Sequence, residues 1–467
     1  KTSQSMNLCI HGHFYQPPRE DPISNYIPSE IGAEPFNNWN EKILAECYEP
    51  NALAGNFGKI SFNIGPTLFR WMWGYRPDIA QKIVDQEKAN FDTYGVGNGM
   101  AQSCHHTILP LATPEDRITQ VYWGMYDFEF RFGHKPEGIW LPETGADINT
   151  LCVLSDLGIK FTILAPWQVR PVDGEPGPYL VDLPGGRKPM IVFPYQRELS
   201  TMVSFIPSST QNGDQFLQTI RERLAEDQNG LNIIASDGEL YGHHQKFRDI
   251  FLTYVVNASN SHGELRWTYP GKWLQENEVN ARAMLVSPSS WSCFHGVDRW
   301  QKSCDCTPGA DWKAPLYRSL CDVAGWLDQS FVRFMSGFVA DPWRFRNKYI
   351  KVFNGQQVLS DLLTEEGATH FSISDLEKIN TLMQAQIKRQ RMFSSCGWFH
   401  QEFHRIEPQN NIAYAAMAVW LTDLVTGDHI DADIAASMAK VRDKKSGLRA
   451  DSVFTQTLIR AKNEFYA

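Results

Sequence analysis

"IIASDGELYGHH", residues 233–244, begins with the apolar and small residues of a buried strand and breaks into Asp237, Gly238, Glu239, His243 and His244. A strand that ends in carboxylates and imidazoles puts its polar groups on one rim of a sheet. In parallel α/β proteins that rim, beyond the carboxyl ends of the strands, is where loops converge and chemistry sits. Two other apolar runs end the same way. The run closing at Ile10 is followed by "HGHFYQPP", with His11, His13 and Gln16, and the run closing at Leu141 by "PET", with Glu143. Structural carboxylates have no reason to share one end of a sheet, so the convergence of three polar tips points to a site.

Outward from these tips, strands are expected over 7–10, 59–63, 138–141, 161–164, 190–193 and 231–235, alternating with helical patterns. "TPEDRITQVYWGMYDFEF" (113–130) opens with threonine, proline and two acids, as a helix start does. "DQFLQTIRERLAED" (214–227) repeats its apolar residues at Phe216, Leu217, Ile220 and Leu224. Such alternation predicts a parallel sheet, doubly wound or closed as a barrel. Past residue 310 the pattern is helical only: Leu316, Leu320, Val323, Leu327 and Phe331 step by threes and fours. A capping-box spacing runs from Ser374 to Glu377, and a later helix is expected to stop at Gly427. An α/β catalytic unit over 1–275 and an α-helical bundle over 276–467 are therefore expected.

The chain's 467 residues suit two packed units. Its net charge of −9 argues against nucleic acid or an anionic membrane as partner and suits a neutral or cationic substrate. No apolar run reaches the ~18–20 residues of a membrane span, and the start lacks the apolar core of a secretory signal. A cytoplasmic protein is expected, with Met6 as its native start. Nine cysteines then read as thiols rather than a disulfide framework. Cys293, Cys304, Cys306 and Cys321 offer metal ligands, but a lone C-x-C is not the paired C-x-x-C of a zinc ribbon. Packed thiols, no metal and no cofactor are the expectation.

Two acids beside imidazoles suit more than one chemistry. Neutral imidazole and carboxylate bind zinc or manganese, but the H-x-H at a strand end lacks further ligands and no H-E-x-x-H is present. Glycoside hydrolysis needs one carboxylate at the anomeric carbon, one protonated carboxyl for the leaving oxygen, and neutral groups to hold hydroxyls. Each residue also has a structural use. Glu143 can cap the helix near Ile148, Asp237 can open a D-G turn, and His11 and His13, on one face of a strand, can form an interior pair.

"HGHFYQPP", "AQSCHHTILPL", "GIWLPET" and "ASDGELYGHH", in this order, resemble the sequence regions of glycoside hydrolase family 57, and "SSWSCFHGVDRW" resembles that family's tryptophan-bearing region. The resemblance covers residues 7–306. It implies a distorted (β/α)7 barrel with a retaining site for α-glucans and a helical domain contributing to the cleft. By motif position Glu143 is the nucleophile and Asp237 the general acid/base. His11, His13 and His106 would hold the sugar, with Gln16, Trp167, Trp291 and Trp300 as further substrate contacts. Glu239 and His243 would tune Asp237. The chain departs from the family's branching enzymes at "SCFHG" (292–296), where they carry a Gly-Glu-Gly-like turn, and "MFSSCGWFHQEFHRIEP" (392–408) matches a separate branch. The expected activity is that of a retaining glycosidase or transglycosidase on an oligo- or polysaccharide. A metal-dependent carbohydrate deacetylase on a similar barrel and a catalytically silent sugar-binding protein are the alternatives.

Overall fold

The computed structural model describes residues 5–224, 230–258 and 265–465; Ala225, Glu226 and Asp227 of the helix expected at 214–227 lie outside the described residues. Eight strands frame the site: β1 (Met6–Phe14), β2 (Ser61–Ile64), β3 (Gly99–Gln102), β4 (Ile139–Trp140), β5 (Phe161–Leu164), β6 (Met190–Pro194), β7 (Leu231–Asp237) and β8 (Leu265–Trp267). β1 to β4 form consecutive parallel ladders, β7 pairs with the other edge of β1, and β5 pairs with β6. Two seams join these sets. Gly138 bridges to Phe161, and the Lys160 N–H donates to Glu137 O at 2.8 Å. At the other seam the Gln196 N–H donates to Ile233 O at 2.7 Å. Seven parallel strands thus follow one another in the order of a barrel that is left open at these seams, where single contacts replace ladders, and β8 lies beside the start of β1. This is the distorted (β/α)7 barrel expected.

The alternation of side chains along each strand fills the barrel. Cys9 of β1 lies in one buried cluster with Met100, Trp140, Ile163, Phe193 and Ile233, and His11 and His13 share its face. β3 was not expected. Its Gly-Met-Ala-Gln has no β-branched or aromatic residue, and pairing between β2 and β4 decides its conformation instead.

The helical unit packs Lys313–Met335, Ile373–Arg391, Ile406–Thr426 and Ala450–Phe465 around a core that includes Trp312, Leu320, Phe403, Ile412 and Phe454. The capping box lies two residues earlier than expected. Ser372 Oγ accepts from the Asp375 N–H at 3.1 Å, and the Ser372 N–H donates to Asp375 Oδ2 at 2.8 Å. Gly427, at φ 71°, ends the third of these helices as expected.

The chain divides into a barrel unit, Lys1–Pro18, Pro28–Cys104 and Phe128–Trp291, and a helical unit, Arg19–Ile27, His105–Asp127 and Ser292–Ala467. The expected boundary at 275 is therefore moved. Residues 283–285 pair antiparallel with 169–171, and Ser289 bridges to Ala146, which ties this stretch to the barrel. Residues 105–127 are held in the helical unit by polar bonds, among them Arg346 Nη2 to Asp116 Oδ1 at 3.0 Å and Gln120 Nε2 to Gln390 Oε1 at 2.9 Å. Among the described residues no helix is long and apolar enough to cross a membrane.

Candidate active site

Register brings the polar tips together. In the parallel ladders Asp237 lies beside His13, His13 beside Asn63, and Gln102 beside Trp140. A continuous chain of hydrogen bonds follows. Ser61 Oγ and His11 Nδ1 are 2.8 Å apart, His11 Nε2 and Asn63 Oδ1 2.8 Å, and Asn63 Nδ2 reaches both His13 Nδ1 at 2.8 Å and Gln102 Oε1 at 2.6 Å. The donors fix the tautomers. Asn63 Nδ2 can only donate, so His13 accepts at Nδ1 and carries its proton on Nε2; Asn63 Oδ1 can only accept, so His11 also carries its proton on Nε2.

Burial pushes the His11 pKa down to about 4, so its ring is neutral, and the ring stacks on Trp140 at 4.7 Å. Both ring nitrogens of His11 are thus engaged by protein, to Ser61 and Asn63. His13 also stacks on Trp140, at 5.2 Å, and meets the edge of Trp291 at 6.2 Å. Gln16 is buried in the loop after β1.

Glu143 sits on a strained turn. Its φ is 56° and that of the β-branched Thr144 is 48°, both in the left-handed region. Such residues cost about 1–3 kcal/mol each and persist only where their surroundings over-determine them. Here they do. Thr144 Oγ1 donates to Gln168 Oε1 at 2.7 Å, while Gln168 Nε2 donates to Thr144 O at 2.8 Å and to Ser289 Oγ at 3.0 Å. The Trp291 indole N–H then donates to Glu143 Oε2 at 2.7 Å, and its backbone N–H to Glu143 O at 3.2 Å. Glu143 caps no helix; Asp147 caps the one beginning at Ile148.

Asp237 is solvent-exposed by area yet closely ringed by protein, as a group in a concave cleft is. Its carboxyl is pushed up to about 7, first by that confinement and then by the charge of Glu143. Gly238 follows it without a left-handed φ. A Cβ there would fall 2.4 Å from the Phe14 ring, so close packing and not a turn demands glycine.

Glu239 is buried, with Oε1 accepting from the Tyr15 N–H at 2.9 Å and Tyr48 Oη at 2.8 Å. Burial, and then Asp237, raise it to about 8. The charge that raises Asp237 comes from Glu143, while Glu239 is itself raised by Asp237. His243 bonds Glu46 Oε2 through Nδ1 at 2.6 Å and packs edge-on to Trp39. Trp167 is half-buried, donates to Ser290 O at 3.0 Å, and has the Arg197 guanidinium over its ring at 5.3 Å.

Two further expected members belong to the helical unit. His106 belongs to the helical unit, where its buried ring bonds Ser395 Oγ through Nδ1 and burial lowers its pKa to about 3. Trp300 is 1% exposed and packs in the helical unit's core. Sequence reasoning missed Ser61, Asn63, Gln102 and Gln168. Asn63 was within reach of the strand-end rule, because it ends a run already read as a strand.

Comparison with known proteins fits this arrangement. Residues 14–288 match the profile described as Glycosyl hydrolase family 57. The chain belongs to this family. Residues 310–464 match a second profile, described as a domain of unknown function (DUF3536). An alpha-amylase of Pyrococcus horikoshii is 21% identical over 241 residues, 47% of this chain; the chain spans about a third (34%) of that relative's length. Among solved structures, an exo-type maltose-forming amylase from Pyrococcus sp. ST04 superposes with a TM-score of 0.72 at 14% identity, over 97% of this chain and 88% of the other. A branching enzyme of the family from Pyrococcus horikoshii gives 0.59 at 14%, over 96% of each chain. An alpha-amylase from Thermotoga maritima gives 0.59 at 15%, over 98% and 99%. At such identities the likeness is one of fold.

Proposed function

We propose that this family 57 chain is a retaining glycosidase or transglycosidase acting on an α-linked glucan or related oligosaccharide. Glu143 attacks the anomeric carbon while Asp237 gives its proton to the leaving glycosidic oxygen. The bond between Glu143 and the sugar is then broken by water or a sugar hydroxyl, from which Asp237 takes the proton back. The observation that carries this reading is the unequal environment of the two acids. Confinement and the charge of Glu143 push the Asp237 pKa up to about 7, while Glu143 Oε2 accepts a 2.7 Å bond from the Trp291 indole N–H. A pair pushed apart in this way divides into acid and nucleophile.

In this proposal His13, Gln16 and Trp167 contact the sugar, and Trp291 orients Glu143. For this mechanism the two carboxyl groups are required to lie ~5–5.5 Å apart. The deacetylase alternative loses support because both His11 nitrogens and His13 Nδ1 are committed to Ser61 and Asn63. Nine cysteines present as thiols rather than disulfides fit a reducing compartment, and the cytoplasm is the proposed location. NMR analysis of products from a panel of α-glucans and oligosaccharides tests the function. Cleavage or transfer of an α-glucosidic bond supports it, and release of acetate from an acetylated glycan with no glycosidic turnover overturns it.

A further inference from the structure

The helical unit gathers four side chains that the proposed reaction does not use. Cys293, His295, Cys304 and Cys306 each offer a ligand atom, and these atoms all lie within 4.8 Å of one another. They come from two short hooks, C-x-H and C-x-C, eight residues apart in sequence. Cys321, grouped with the three cysteines in the sequence, is not among these four, and His295 is.

The distances are those of a tetrahedron. Bonds of about 2.3 Å to sulfur and about 2.0–2.1 Å to nitrogen place neighbouring sulfurs about 3.8 Å apart and sulfur and nitrogen about 3.6 Å apart. Here Cys293 Sγ is 3.9 Å from Cys304 Sγ and 4.0 Å from His295 Nδ1, and Cys306 Sγ is 3.5 Å from His295 Nδ1. The sulfur–sulfur gap is nearly twice the ~2.05 Å of a disulfide.

The surroundings are those of thiolates. Backbone N–H groups of Cys306 and Thr307 point at the Cys304 sulfur, and those of His295 and Arg299 at the Cys293 sulfur. Three thiolates and a neutral imidazole on a divalent ion leave one net negative charge. Lys313, wholly buried under the same loop, donates to Arg299 O at 2.8 Å and Thr307 Oγ1 at 3.2 Å, which fixes the loop against the start of the helix.

We infer that Cys293, His295, Cys304 and Cys306 form a closed structural zinc site that staples the loop 293–306 to the start of the helix at Lys313. Four protein ligands leave no open position, so the ion organises the loop and takes no substrate. Zinc replaces the three thiol protons, which are released to solvent on binding. The ligand softness selects zinc over magnesium or calcium. The motif also accounts for "SCFHG", which supplies Cys293 and His295 at the point where the chain departs from the family's branching enzymes.

The test is elemental analysis of the full chain, expressed with zinc and purified without chelator under reducing conditions. About one zinc per chain is expected, lost in Cys304→Ser and Cys306→Ser and retained in Cys321→Ser. Cobalt substitution of the wild-type protein keeps the inference falsifiable if those variants do not fold. Intense visible bands of tetrahedral cobalt with sulfur-to-cobalt charge transfer in the near ultraviolet are expected, together with a lower Tm after metal removal. Zinc far below one per chain with no charge-transfer band, or zinc retained in the Cys304→Ser, Cys306→Ser double variant, overturns the site.

Discussion

Asp237 holds its proton against the charge of Glu143, and that single relation can be measured. Removing the charge in Glu143→Gln lowers the Asp237 pKa from about 7 toward the ordinary carboxylate range, which a carbon-13 NMR titration of the side-chain carboxyl records. An unchanged pKa contradicts the coupling. The same shift makes a stability prediction. A raised folded-state pKa means that ionisation costs stability as pH rises from the ordinary carboxylate range through about 7, and costs nothing below that range. Asp237→Asn escapes that cost, so it melts above the wild type at about pH 8 and alongside it at about pH 4. The two tryptophans separate cleanly. Trp291→Phe keeps the ring but loses the N–H to Glu143, which lowers kcat/KM by roughly 10- to 100-fold with little change in Tm. Trp300→Ala empties a core position and costs about 3–5 kcal/mol of stability. The family resemblance groups these tryptophans together, whereas Trp300 is buried in the helical core and Trp291 bonds Glu143.

The turn that carries Glu143 is the element on which the site depends. Gln168 binds both the hydroxyl and the carbonyl of Thr144, so it offsets strain that the turn cannot bear alone. Gln168→Leu leaves buried groups unpaired at about 1–3 kcal/mol, and it lowers kcat more than it raises KM because Glu143 loses its aim. Unchanged kcat with a lower Tm reduces Gln168 to packing. The strand ends at Ile10, Leu141 and Ala235 were legible because apolar runs stop abruptly at polar residues. β3 was not, since neighbouring strands rather than its own propensities make it extended. The clamp was hidden too, because Thr144 and Gln168 meet only through the fold.

At the scale of the whole chain, residues 105–127 interrupt the barrel sequence and fold with the helices. Asp116 is their anchor. Burial opposes its ionisation, but Arg389 and Arg346 outweigh burial and hold its pKa below the usual range. Arg389 in turn grips Asp328 at 2.8 and 2.9 Å. Removing one partner of such a network strands buried charge, so Asp116→Ala costs about 3–5 kcal/mol. The depressed pKa supplies stability above the ordinary carboxylate range that is lost as pH falls through the folded value. Acid melts of wild type and variant therefore converge at low pH, and a constant gap contradicts the assignment. The two-unit plan was readable from the change of periodicity near residue 310. The inserted segments were not, because buried charge pairs between distant stretches leave no local pattern.

The central claim is the division of labour between Glu143 and Asp237, and trapping tests it most directly. Asp237→Asn is given an α-glucosyl fluoride or aryl α-glucoside, whose good leaving group needs little protonation, and is then digested for mass spectrometry. Without the base for the second step, a glycosyl adduct should accumulate on the peptide carrying Glu143, and the wild type should release product of retained anomeric configuration by early-time NMR. An adduct on any other peptide, or an inverted product, contradicts the account.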